Sequence, residues 1–158
     1  MLVYVTGGEK LKIFMMRYGI TTNNIIKIIG KRGKSPSIVS FLIFGNRKPN
    51  LEERRKLHLF STRITSIGKY RLALSQIGWD SKTAVELFIY EILFLWKWRH
   101  DITCQKFSDK SGVSYKRIVE IEKGIFPTDE EQVFIEKATD GFIKKEWWQE
   151  DIDALNEL

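Results

Sequence analysis

Five basic residues and three serines are spaced so that together they could hold a polyanion. Lys31, Arg32 and Lys34 crowd a glycine-flanked turn, and Arg47 and Lys48 follow a short apolar stretch. Between the two groups lie Ser35, Ser37 and Ser40. Ammonium and guanidinium groups gathered around helix ends suit phosphate oxygens, which set a protein's register on a duplex. Serine hydroxyls both donate and accept, so they can bond phosphate or a base edge, and Phe41 beside them could touch a thymine methyl. A second set, Ser114, Tyr115, Lys116 and Arg117, opens another candidate helix whose positive N-terminal end favours the same partner. Catalysis has no comparable set. CxxC, HExxH, GxxxxGK[ST] and GxSxG are absent, and His58, His100 and Cys104 are too few for a zinc site. No enzyme activity, metal or cofactor is expected.

The elements that must present these residues can be read from caps and apolar spacing. The clearest stretch is 102–124, ITCQKFSDKSGVSYKRIVEIEKG. Thr103 caps a first helix that turns Phe107 inward, with small Ser108 next to it. Gly112 can turn left-handed without steric cost, Val113 plugs the turn, and Ser114 caps a second helix. Ile118 and Ile121 share that helix's inward face and Gly124 stops it. Two short helices joined by a tight turn form a helix-turn-helix, whose second helix can enter the major groove. A helical hairpin with no nucleic-acid role is the plainer alternative.

The first half carries the same layout. Leu11, Phe14, Met15 and Tyr18 make one helical stripe that ends at Gly19. Thr21, Thr22, Asn23 and Asn24 offer caps for a helix through Ile25, Ile28 and Ile29. Ser35 and Pro36 suit the cap and first position of a helix over 35–44, closed by Gly45. Asn50 caps a further helix with Leu57, Phe60 and Ile64 inward. Adding 79 to these numbers brings Ile28 onto Phe107, Gly33 onto Gly112, Ser35 onto Ser114, Val39 onto Ile118, Leu42 onto Ile121 and Gly45 onto Gly124. One fold repeated in tandem accounts for that register.

On Phe107, Ser108, Gly112, Val113, Ser114, Ile118, Ile121, Glu122 and Gly124 the chain resembles the Cro/repressor (XRE-like) family. The wording GKSPSIVSFLIFGNRKP resembles phage-type repressors and Cro-like proteins. Phe134 to Ile143, with the tail Glu146 to Asp151, resembles YdaS/Cro-like phage regulators. Three positions depart from the family pattern: Cys104 stands where Gln follows the Thr, Lys34 replaces an apolar turn residue, and Arg32 replaces an apolar residue near the helix end. The resemblance implies an all-α chain of two lambda-repressor-like helix-turn-helix domains, of phage or mobile-element type. The expected division is a basic domain at 1–66, a packed connector with a short helix at 67–80, and a second domain with an acidic tail at 81–158.

Charge separates the halves. Residues 1–78 hold 15 Lys/Arg against 3 Asp/Glu, a net +12, and residues 79–158 hold 11 against 17, a net −6. The first value suits double-stranded DNA, whereas the second does not. From Asp80 or Ser81 a helix is expected through His100, apolar nearly all round between residues 87 and 96. Its extra faces need cover from the first domain or from a second copy, as a homodimer. Glu91 and Lys97 interrupt the run and it is too short to span a bilayer, so no membrane partner is expected. The single cysteine fits a reducing, cytoplasmic setting. Trp147 and Trp148 are read as sealing the domain's end.

These observations point to a sequence-specific transcriptional regulator, a repressor or Cro-like protein. Helices 35–44 and 114–123 would read the major groove, either together or with the second domain serving as a dimerisation or partner module. A protein-interaction module, such as an antitoxin or an inhibitor of a host protein, is the alternative from another class.

Overall fold

The computed structural model describes residues 1–30, 37–65, 67–74 and 79–156. The chain divides into two compact units, one of Leu2–Glu86 and one of Leu87–Leu158 together with Met1. Both are mainly helical. That agrees broadly with the all-α expectation, to which the first unit adds a small two-stranded sheet.

In the first unit, β1 (Leu2–Val5) pairs antiparallel with β2 (Thr83–Glu86), in the register Leu2 to Glu86 and Val5 to Thr83. Val5 and Val85 turn inward while Leu2, Tyr4 and Ala84 face out, the period-two pattern of a half-buried ribbon. Thr6 then caps α1 (Gly7–Tyr18): its Oγ1 accepts from Glu9 N at 3.2 Å, and Glu9 Oε2 accepts from Thr6 N at 2.9 Å. Leu11, Ile13, Phe14 and Met15 are buried, while Tyr18 is only half-buried. Gly8 lets α1 approach the Leu42–Ile43 backbone closely, since a Cβ there would stand 2.1 Å from the Ile43 carbonyl oxygen.

Thr21 and Asn24 form a second capping box, at the start of α2 (Thr22–Ile29). Ile25 and Ile29 are buried and Ile28 is half-buried. Helix α3 is Ser37–Ile43, with Val39 and Leu42 inward. Asn50 caps α4 (Leu51–Ile64), whose inward residues are Glu53, Leu57 and Ser61. Phe60 is half-buried and Ile64 is exposed, so the α4 stripe expected at 57, 60 and 64 is rotated. Ser61 is inward because its Oγ accepts from Leu74 N at 2.7 Å, tying the segment after α4 to the helix.

No helix occurs among the described residues of 67–80. Leu72, Leu74 and Trp79 are buried in the first unit, so this stretch is part of that unit. The helix expected from Asp80 is also corrected. Thr83–Glu86 is strand, and Asp80 is engaged by Arg54 and Lys48 instead of capping a helix.

The second unit begins with α5 (Ile89–Arg99). Asp151 caps it from a distance in sequence, both carboxylate oxygens accepting from Ile89 N at 2.8 Å. Burial raises the Asp151 pKa to about 6, against the lowering effect of those backbone N–H groups. Between residues 87 and 96 Tyr90 and Phe94 are half-buried and the rest are buried. Helices α6 (Cys104–Ser111), α7 (Tyr115–Glu122) and α8 (Asp129–Ala138) follow. A 3-10 turn (Lys145–Trp147) leads into α9 (Trp148–Asn156). Trp148 is buried edge-on to Phe126, whereas Trp147 is half-buried.

Candidate nucleic-acid interface

Helices α6 and α7 are built as their residues require. Thr103 Oγ1 accepts from Lys106 N at 3.2 Å to start α6. Gly112 closes it at φ 82°, and its N–H donates to Ser108 O at 2.9 Å. Val113 is buried in the turn, and Ser114 Oγ accepts from Arg117 N at 3.3 Å to start α7. Phe107, Ile118 and Ile121 are fully buried beneath the pair. Outward, α7 presents Tyr115, half-exposed, and Lys116, whose side chain is 86% exposed and 3.9 Å from Glu120.

Arg117 is a correction. Its Nε and Nη2 donate to the two Glu131 oxygens at 2.8 and 2.9 Å, Nη1 donates to Glu120 at 2.7 Å, and Nη2 also reaches the Phe126 carbonyl at 3.2 Å. Those carboxylates push its pKa up, and the guanidinium holds Glu131 below the usual carboxylate range. Arg117 therefore joins α7 to the start of α8 and is not placed for phosphate. A buried group that sequence reasoning missed lies near α6: Lys97 Nζ is 2.5 Å from Glu122 and 3.0 Å from Cys104 Sγ. Cys104 is thus tied to α5 and α7.

In the first unit, Lys31, Arg32, Lys34 and Ser35 lie outside the described residues. Ser37 and Ser40 are exposed on α3, on one face with Phe41 (47% exposed) and Phe44 (63%). Arg47 is a second correction. It grips buried Glu53 through both nitrogens, at 3.0 and 2.6 Å, which raises its own pKa. Glu53 N in turn donates to Asn50 Oδ1 at 2.9 Å, so Arg47 helps anchor the α3–α4 loop. Lys48, 58% exposed, lies 3.1 Å from Asp80, a surface pair that phosphate could exchange with. Arg54, then Lys48, holds Asp80 below its usual range.

The structure revises the tandem register. Val39 and Leu42 match Ile118 and Ile121 at an offset of 79, all four buried. In α2 and α6 the matching positions differ by 82: Thr21 and Thr103 are both caps, Ile25 and Phe107 are both fully buried, and Gly30 and Gly112 are both left-handed. Ile28 is half-buried where Phe107 is fully buried, so the offset of 79 does not hold through α2, and Gly33 lies outside the described residues.

Among the described residues no group of His, Cys, Asp and Glu could hold a metal ion. No helix among them is long and apolar enough to cross a membrane. His58 and His100 contact backbone carbonyls of Leu74 and Trp96. No family model, curated protein or solved structure matches the chain.

Proposed function

We propose that this chain is a sequence-specific DNA-binding transcriptional regulator, with helix pairs α2–α3 and α6–α7 as two helix-turn-helix units of unequal role. Residues 2–86 hold 16 Lys/Arg against 5 Asp/Glu, a net +11, while residues 87–158 hold 10 against 15, a net −5. The observation that carries the reading is the outward face of α3, uncharged and exposed in the unit with the strong positive excess. Base contacts would come from that face and phosphate contacts from cations of the same unit, Lys48 among them.

The second unit is read as an accessory. Arg117 is satisfied internally, and α8 opens with Asp129, Glu130 and Glu131. Val133 and Phe134 are exposed on α8 beyond that acidic turn, which favours a protein-binding role for this unit. Sequence enrichment from a randomised duplex pool tests the reading. The intact chain should enrich a shared motif, with affinity falling steeply as salt rises. Recovery of unenriched sequence at every salt concentration would favour the protein-interaction alternative.

A further inference from the structure

Helix α3 has no charged residue, although the unit around it is strongly basic. Its exposed stripe is Ser37, Ser40, Phe41 and Phe44, at the i, i+3, i+4, i+7 spacing of one helical face. The outward face of a surface helix typically carries charged and polar residues. This one leaves two phenylalanine rings about half exposed, at 47% and 63%. Phe44 continues the turn, its N–H donating to Ser40 O at 2.9 Å, so both rings are held on one stripe.

The major groove has the complementary layout. Its walls are phosphates and its floor is base edges, where the C5-methyl of thymine is the apolar group. Cytosine instead presents its N4 donor, which a phenyl ring would leave unsatisfied. We infer that α3 reads thymine methyls through Phe41, supported by Phe44, and so prefers A·T steps where the stripe lies. The inference rests on the DNA-binding reading above. Cations outside the stripe supply affinity, and the apolar stripe supplies selectivity.

The test compares the enriched duplex with the same duplex carrying deoxyuridine for thymine, which removes the methyl and nothing else. The intact chain should bind the deoxyuridine form about fourfold more weakly for each contacted methyl. Phe41→Ala should bind both forms equally, with unchanged circular dichroism because Phe41 is exposed. Phe41→Leu should keep part of the difference. Equal binding of both duplexes by the unaltered chain would overturn the inference while leaving the DNA-binding reading intact, with base contacts left to Ser37 and Ser40. Failure to enrich any motif would overturn both.

Discussion

Replacing Arg47 with alanine separates a framework role from a phosphate role. The guanidinium makes a two-point contact with Glu53, whose side chain is 2% exposed, while that of Arg47 is 32% exposed. Removing one partner of a fully buried ion pair costs about 3–5 kcal/mol. The partial exposure of Arg47 screens the pair, so roughly 2–3 kcal/mol is expected here. In a unit of this size that lowers the melting temperature by roughly 8–24 °C. Thermal denaturation followed by far-UV circular dichroism would read it. Arg47→Lys should lose less, because an ammonium keeps the charge but not the fork. Combining Arg47→Ala with Glu53→Gln should recover much of the loss, since the stranded charge is gone. Melting unchanged in Arg47→Ala, together with several-fold weaker DNA binding, would refute the framework assignment.

Three further outcomes follow from the same geometry. Arg117→Ala should destabilise the second unit by roughly 1–2 kcal/mol in urea denaturation and leave the salt dependence of DNA binding unchanged. Loss of DNA affinity at unchanged stability would reinstate Arg117 as a contact. Asp151 has a folded pKa of about 6, above its ordinary 3.8, so the folded chain binds more protons than the unfolded chain between those values. Its contribution is fullest below that window and falls by about 3 kcal/mol as pH rises through it. Denaturation of wild type and Asp151→Asn at several pH values should show that difference, and parallel pH profiles would contradict it. Gly8→Ala should cost about 1–3 kcal/mol, because the new Cβ meets the Ile43 carbonyl. An unchanged melting temperature would show that the close approach is not required.

Local chemistry was readable from the sequence; long-range pairing was not. Thr103, Gly112 and Ser114 announce their caps and turn because each acts on a backbone group within a few residues. Phe107, Ile118 and Ile121 follow from helical period alone. The ribbon of β1 and β2 escaped notice because Thr83–Glu86 is short and runs into a long apolar helix, and its partner lies at the other end of the unit. Arg47 and Arg117 looked like phosphate ligands because charge is visible in a sequence and its neutralisation is not. Glu53 and Glu131 reach them across loops whose course no periodicity reveals. The register of 79 misled in α2 for a similar reason. It was drawn through Gly33, whereas Gly30 closes that helix.

Affinity of the intact chain for its enriched duplex and for a scrambled duplex, measured across a salt series by fluorescence anisotropy, decides whether the chain reads DNA sequence. Log affinity should fall linearly with log salt on both duplexes, with the enriched one bound more tightly throughout. Equal affinity for the two duplexes, or affinity indifferent to salt, would contradict that expectation.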